Sequence, residues 1–158
     1  MNMEYEKHHN YLDSAQNYAD RKSTCVKVQV GSVIQSGALL IFGSNHGVCN
    51  CNINGCRRIK LYGENSKQHR LPSDCDSVHS EIDAIAKAAK MGIKLDGATI
   101  YITRYPCEAC ARAIVSAGIK KVIYGRKESI SEYTRKILDS AQIEVWHILD
   151  WNREDNNA

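Results

Sequence analysis

The second half of the chain alternates between helical and strand patterns, and this alternation limits the possible folds more than any other feature. The stretch HSEIDAIAKAAKMG has helical spacing from His79 to Gly92, and short apolar strands alternate with further helices after it. An α-β-α-β-α-β order predicts a sheet with helices packed against its faces. After the first helix, the expected elements are the strand ATIYIT, a helix from Pro106 to Gly118, the strand KKVIYG, a helix over 131–141 and the strand IEVWHIL.

The first half of the chain is less regular. Residues 5–22 have helical spacing, and residues 26–35 and 38–43 read as two strands joined by a turn at Ser36-Gly37. Residues 44–78 have no clear period, which predicts an irregular, cysteine-rich insert. The chain has 158 residues, 43% of them hydrophobic and 25% charged, without a repeat or a linker. We therefore expect a single domain over residues 1–158.

Charge and apolar patterning bear on partners and location. The formal net charge is +3, and the basic residues between 120 and 127 are interpreted as a solvated face and a turn, so polynucleotide binding is not expected. No apolar run approaches the ~20 residues that a membrane span needs, and the polar start MNMEYEKHHN lacks a secretory apolar region. We expect a cytoplasmic protein whose seven cysteines are reduced or bound to metal.

Two of these cysteines stand three residues apart in the segment RYPCEACARA. At the start of a helix, Cys107 and Cys110 share one face, and the helix dipole there favours thiolates. Three interpretations are open for such a pair: redox partners, half of a structural zinc site, or ligands of a catalytic metal. The choice depends on which other side chains reach the same place.

A second helix start supplies the missing partners. If the helix start at His79 faces the helix start at Cys107, then His79, Cys107 and Cys110 provide three zinc ligands. A fourth position stays open, as in catalytic zinc sites. Glu81 then stands where a carboxylate can transfer protons between water and a leaving nitrogen. The order H-x-E followed by P-C-x-x-C is the signature of zinc-dependent deaminases. The sequence thus predicts hydrolytic deamination of a pyrimidine or purine base, with Glu81 as the catalytic residue.

A wider resemblance extends over residues 5–148. The stretches STCVKVQVGSVI and HSEIDAIAKAAKMGIKLDGATIYITRYPCEACARAIVSAGIKKVIYG resemble the deoxycytidylate (dCMP) deaminases of the cytidine-deaminase-like superfamily, including phage and competence-operon types. The resemblance implies a three-layer α/β/α sandwich with a five-stranded mixed sheet. It also implies conversion of dCMP to dUMP with catalytic Zn2+, and homo-oligomers, with hexamers favoured over dimers or tetramers.

The resemblance implies further site residues. Asn45 would contact the sugar or phosphate, and the backbone of Ser80, which replaces the usual alanine of H-A-E, would contact the pyrimidine. Tyr105, just before the zinc-binding helix, is predicted to stack on the base. Several relatives bind a second, structural zinc through the insert. Its expected ligands here are Cys25, Cys51, Cys56 and Cys75, with Cys49 and His69 as alternates, whereas unbound buried cysteines are the other interpretation.

The chain departs from the family after the second predicted strand. The usual G-Y-N-G-[ST]-P becomes Gly43-Ser44-Asn45-His46-Gly47, so the resemblance does not imply regulation by dCTP or dTTP. Mg2+ is expected only if such an effector binds. Other substrates therefore stay open: cytidine, dCTP or a modified pyrimidine, or none at all in a non-catalytic zinc module. Candidate anion partners are Arg57, Arg58, Arg70 and Arg104.

Overall fold

The computed structural model describes residues 3–48, 50–64, 75–126 and 131–151. Within this part of the chain, the helices are α1 (Met3–Lys22), α2 (Cys51–Asn54), α3 (Arg57–Tyr62), α4 (Ser80–Lys90), α5 (Glu108–Ser116) and α6 (Glu132–Ser140). The strands are β1 (Gly31–Ser36), β2 (Leu39–Ser44), β3 (His46–Gly47), β4 (Ser77–Val78), β5 (Thr99–Arg104), β6 (Lys121–Arg126) and β7 (Glu144–His147).

Five strands form one mixed sheet in the order β2-β1-β5-β6-β7, and β3 pairs with β4 in a separate two-stranded ribbon. β1 runs antiparallel to both of its neighbours, with Ile34 opposite Ile41 on one side and Ile100 on the other. β5, β6 and β7 are parallel to one another, as expected for strands connected through helices. The predicted five-stranded mixed sheet is confirmed.

The sheet separates two hydrophobic cores because successive strand residues point to opposite faces. Val33 packs under α1 with Leu12 and Tyr101, whereas Ile34 packs on the other face with Ala84 of α4 and the apolar sides of α5 and α6. α1 approaches β1 closely, since a Cβ on Gly31 would lie 1.9 Å from the carbonyl oxygen of Ala15. One helix on one face and three on the other give the predicted three-layer α/β/α sandwich.

Two predicted boundaries are wrong. β1 begins at Gly31 rather than at residue 26, because the side chain of Asn45 hydrogen-bonds the backbone at Val28 and Val30 in place of a strand neighbour. Pro106 is not the first residue of a helix. α5 begins at Glu108, after Cys107 at the N-cap with extended backbone angles. The proline directs the chain out of β5, and the C-x-x-C pair of Cys107 and Cys110 follows it.

The segment 44–78 is less irregular than predicted. Its described residues contain β3, β4 and the short helices α2 and α3, and Gly55 and Gly63 with positive φ follow the two helices. The alternates Cys49 and His69, together with Arg70, lie outside the described residues. Among the helices of the described ranges, none is long and apolar enough to span a membrane.

Candidate functional site

Three potential metal ligands meet where α4 and α5 begin. His79 immediately precedes α4, and Cys107 immediately precedes α5, with Cys110 in the first turn of α5. His79 Nδ1 lies 3.5 Å from Cys107 Sγ and 3.4 Å from Cys110 Sγ, and the ligand atoms of all three residues are within 4.8 Å of one another. These three are therefore the residues that the structure brings together.

The spacing of these atoms fits zinc. A tetrahedral Zn2+ with Zn–S of about 2.3 Å and Zn–N of about 2.0 Å holds its sulfur and nitrogen ligands roughly 3.5 Å apart. The two measured S···N distances agree with this value. Two thiols and one imidazole are also the ligand types that zinc prefers, and three protein ligands leave one position for another molecule.

The electrostatics of the cluster favour a thiolate. The hydrogen bond with Cys110, followed by the one with His79, lowers the pKa of Cys107 to about 3 against the effect of burial. The hydrogen bond with Cys107 raises the pKa of His79, although burial opposes this. The pKa of Cys110 is raised by its hydrogen bond to Cys107 and by burial. One thiolate is therefore stabilised at the N-terminus of α5, where the helix dipole adds to the effect.

Glu81 is a buried carboxylate beside this cluster. Its side chain belongs to the first turn of α4, and the residue is 4% exposed. Burial raises the pKa of the Glu81 carboxyl, while hydrogen bonds from its own backbone N–H and from Ser80 act in the opposite direction. A buried carboxyl group in a cavity beside a potential metal site is typical of proton transfer in catalysis.

A cavity of about 500 Å3 is lined by His79, Cys107 and Glu81. This volume is within the range of small-molecule sites. Its walls come from the segment before β1, the helix α3, the end of β4 and the β5–α5 connection. The other lining residues are Cys25, Lys27, Val28, Val30, Asn45, Cys56, Arg58, Cys75, Ser77, Ser80, Arg104 and Tyr105.

Asn45 lines the cavity, but its side chain is engaged by the protein. Asn45 Oδ1 accepts hydrogen bonds from Ser23 Oγ at 2.7 Å and from the backbone N–H of Val30 at 2.8 Å. Asn45 Nδ2 donates to the carbonyl oxygen of Val28 at 2.8 Å. One amide hydrogen of Asn45 remains for a ligand, so its observed contacts hold the cavity wall in place.

Tyr105 forms another part of the cavity wall, and its stacking on a base stays a prediction. Its ring makes an edge-on contact with Tyr124 at 4.9 Å between centroids. Tyr124 in turn stacks on His147 with centroids 4.5 Å apart and an interplanar angle of 3°. The ring of Tyr105 is thereby supported from behind by residues of β6 and β7.

The four cysteines expected to bind a second zinc are neighbours. Burial raises the pKa of the Cys51 thiol, and the nearby Cys56, Cys25 and Cys75 raise it further. In the described part of the chain, however, the one group with ligand atoms within 4.8 Å is formed by His79, Cys107 and Cys110. The four cysteines are therefore near one another, but their sulfur atoms do not all lie within the 4.8 Å that separates the ligand atoms of the first group.

Only some of the positively charged residues that line the cavity were predicted from the sequence. Arg58 and Arg104 line it, whereas Arg57 pairs with Asp76 at 3.4 Å and is not part of the lining. Lys27 also lines the cavity but was not among the predicted anion partners. Nothing in the sequence indicates that the segment before β1 packs against the candidate metal site. Three cations from separate segments thus face one cavity.

Comparison with known proteins identifies the family of this chain. The chain matches the MafB19-like deaminase family over residues 6–157. It is 30% identical to ComE operon protein 2 of Bacillus subtilis over 78% of this chain, and it spans 62% of the length of that relative. It is 30% identical to the deoxycytidylate deaminase of Enterobacteria phage T2 over 83% of this chain and 88% of that protein.

Among solved structures, the dCMP deaminase of cyanophage S-TIM5 in complex with dCMP and dUMP has the same fold. The TM-score is 0.66 at 23% identity, with 93% of this chain and 98% of that chain covered. The fold and the His/Cys/Cys cluster define a cytidine-deaminase-like protein. The chain belongs to the MafB19-like deaminases and to the deoxycytidylate deaminase family.

Proposed function

We propose that this protein deaminates dCMP to dUMP in a zinc-dependent reaction. The observation that carries the proposal is the cluster of His79, Cys107 and Cys110, with S···N distances of 3.4 and 3.5 Å, beside the buried carboxyl of Glu81. The substrate named for the phage T2 relative, and the dCMP and dUMP bound by the cyanophage structure, support the choice of base and sugar.

His79, Cys107 and Cys110 hold the zinc in this proposal. Zinc bound there would supply a water molecule acidic enough to react near neutral pH. Glu81 would take one proton from the water that adds to the amino-bearing carbon and pass it to the ring nitrogen. Glu81 then carries the second proton to the amino group, the carbon–nitrogen bond breaks, and ammonia leaves a carbonyl group behind.

Tyr105 and Ser80 act on the base. The ring of Tyr105, held by Tyr124, offers a flat apolar surface for the pyrimidine. The backbone of Ser80 is buried at the cavity wall next to Glu81, where it can contact the edge of the base. Asn45 fixes the opposite wall and has one donor left for the sugar.

The charges of the cavity support a phosphorylated substrate. Lys27, Arg58 and Arg104 contribute three positive charges, and Glu81 is the one carboxylate among the lining residues. Zinc with two thiolates is itself neutral. The phosphate of a nucleotide is attracted to these positive charges, and arginine side chains bind phosphate through paired hydrogen bonds, whereas a nucleoside has no negatively charged group for them to bind. This asymmetry favours dCMP over deoxycytidine and cytidine.

One assay of ammonia release separates this proposal from the alternatives, which are other cytosine substrates or a non-catalytic zinc module. The first experiment measures ammonia release from dCMP, CMP, dCTP, deoxycytidine and cytidine, with zinc content on the same sample. We expect dCMP to be turned over fastest, and Glu81→Gln to keep its zinc and lose turnover by about 1,000-fold or more. Zinc-loaded protein that deaminates none of them, or Glu81→Gln with full turnover, contradicts the proposal.

The phosphate contacts need their own test. Arg58→Gln and Arg104→Gln should raise KM for dCMP about 10-fold or more and leave KM for deoxycytidine unchanged. Arg57→Gln is the matched control, because Arg57 is adjacent in sequence, pairs with Asp76 and does not line the cavity. Equal effects of Arg57→Gln and Arg58→Gln would show that overall charge, not contact, matters.

Several finer features complete the proposal. A second, structural zinc bound by Cys25, Cys51, Cys56 and Cys75 would hold α2 and α3 against the cavity, because these thiols are neighbours. The single domain, the homo-oligomer and the cytoplasmic location stay predictions, and Mg2+ is expected only if a nucleotide effector binds. Sedimentation analysis and activity with dCTP or dTTP in the presence of Mg2+ test the oligomer and the effector.

A further inference from the structure

The hydroxyl group of Ser80 contacts the carboxylate of Glu81. Ser80 Oγ lies 3.0 Å from Glu81 Oε2, and the two residues are 0% and 4% exposed. An ionised carboxylate only accepts hydrogen bonds, so the serine hydroxyl is the donor. The sequence indicated a role for the Ser80 backbone alone, because the middle residue of H-x-E is an alanine in most of the family.

The backbone of Ser80 is fixed independently of this hydroxyl. Ser32 Oγ of β1 donates a hydrogen bond of 2.8 Å to the carbonyl oxygen of Ser80. Gly43 of β2 lies so close that a Cβ on it would be 2.0 Å from the same oxygen. The sheet therefore sets the position of Ser80, and removal of the hydroxyl leaves the start of α4 in place.

We propose that Ser80 is a positioning residue that orients the Glu81 carboxylate for proton transfer. One carboxylate oxygen is held by the serine, and this fixes the direction in which the rest of the group faces the cavity. This inference rests on the proposed role of Glu81 in deamination. It adds a residue whose side chain, unlike an alanine, restricts the rotation of the proton carrier.

Ser80→Ala tests this role. Hydrogen bonds to charged groups are among the stronger ones in proteins, so we expect kcat for dCMP to fall about 10-fold with KM unchanged. Zinc content and thermal stability should remain at the level of the unmodified protein. Ser36→Ala is the control, because Ser36 Oγ bonds the carbonyl oxygen of Lys94, outside the cavity, and its loss should not alter kcat.

A binding measurement separates positioning from a general structural effect. A dCMP analogue with a tetrahedral hydroxyl-bearing carbon in place of the amino-bearing carbon resembles the transition state. Calorimetry should show that Ser80→Ala weakens this analogue about 10-fold and leaves the affinity for dUMP unchanged. Equal weakening of both ligands, or loss of zinc, would overturn the positioning role in favour of a structural one.

A double variant distinguishes failure of the inference from failure of the proposed function. In the Glu81→Gln background, Ser80→Ala should cause no further loss of turnover, because the group that it orients is no longer a proton carrier. If Glu81→Gln is inactive but Ser80→Ala has normal kcat, only the inference fails. If Glu81→Gln is fully active, the proposed proton carrier fails together with it.

Discussion

Asn45 Oδ1 accepts a hydrogen bond of 2.8 Å from the backbone N–H of Val30, and this contact joins the end of β2 to the segment before β1. The same side chain bonds Ser23 and Val28, so three polar groups depend on one amide. The Asn45 side chain therefore replaces backbone hydrogen bonds of a strand pair in this wall of the cavity, beside the candidate metal ligands.

Asn45→Ala should lower the free energy of unfolding by about 2–4 kcal/mol, because it leaves several buried polar groups without partners. Urea unfolding measures this loss. Asn10→Ala, at an exposed position of α1, is the control and should change stability by less than about 0.5 kcal/mol. Similar values for the two variants would mean that the segment before β1 does not depend on the Asn45 amide.

Gly43→Ala should disturb the start of α4. The new Cβ would lie 2.0 Å from the backbone oxygen of Ser80 and 2.8 Å from the nitrogen of Ala84, and backbone atoms cannot move aside as a flexible side chain does. We expect a loss of about 3 kcal/mol or more and a lower zinc content, measured by urea unfolding and metal analysis.

Gly37→Ala is the matched control for this substitution. Gly37 has a φ of +58° and open space around it, so an alanine there is expected to cost only about 1–2 kcal/mol and to leave zinc binding intact. Gly43→Ala with the same small cost and full zinc content would contradict the close packing of β2 on α4.

Cys110→Ser should remove one zinc equivalent per chain and reduce turnover by about 1,000-fold or more, because two ligands do not retain the metal. Zinc should also dissociate from the unmodified protein as the pH falls, since protons compete for the thiolates. Metal analysis after dialysis at several pH values measures both effects. A full zinc content in Cys110→Ser would exclude the cluster as the metal site.

Cys51→Ser addresses the second zinc. We expect two zinc ions per chain in the unmodified protein and one in this variant, with the remaining ion at His79, Cys107 and Cys110. The melting temperature should fall, because the thiols that hold α2 no longer share a metal. One zinc per chain in both proteins would mean that these cysteines are free thiols.

His8 should make the protein less stable in mild acid. The residue is 4% exposed, its Nδ1 lies 3.3 Å from the hydroxyl of Tyr101, and its Nε2 has no hydrogen-bond partner among the described residues. Burial lowers the pKa of His8 below 6.5, against the charge of Glu4 and together with the charge of Lys121. The unfolded chain therefore takes up a proton at a pH where the folded chain does not.

The sign of this effect follows from linkage. Stability contributed by neutral His8 is present above the unfolded pKa of 6.5 and is lost as the pH falls towards the lowered folded value. Between pH 7 and pH 5, the stability of His8→Phe should therefore fall less than that of the unmodified protein. Chemical unfolding at several pH values measures the two slopes, and identical slopes would assign the acid sensitivity to another group.

The parts of the fold that could be predicted from sequence are those set by local periodicity. The run after His79 alternates between helix and strand at spacings that the structure reproduces, and the spacing of Cys107 and Cys110 alone places both thiols at one helix start. The start of β1 could not be predicted, because it depends on an amide from Asn45, which lies in a different segment.

Some contacts within the cavity could not be predicted either, because they join segments that are distant in the sequence. Lys27 belongs to no motif, and it lines the cavity only because the segment before β1 packs there. Arg58 was one of four candidate anion partners, but its sequence position did not distinguish it from Arg57, which does not line the cavity. The bond from Ser80 to Glu81 joins adjacent residues, so the H-S-E triplet contained its signal. Its recognition required the direction of both side chains at the first turn of α4, which spacing does not provide.

The sheet order has a consequence for synthesis on the ribosome. β1 lies between β2 and β5, yet the 54 residues of 45–98 separate the end of β2 from the start of β5. At about 5–20 residues per second, β1 and β2 wait about 3–11 s for that partner. During this interval, the edge of β1 that will meet β5 is unpaired. Ile34 of β1 also stays uncovered until α4, which packs on its face of the sheet, has been made. An unpaired strand edge is a site of aggregation, so the nascent hairpin is exposed to it until β5 is made.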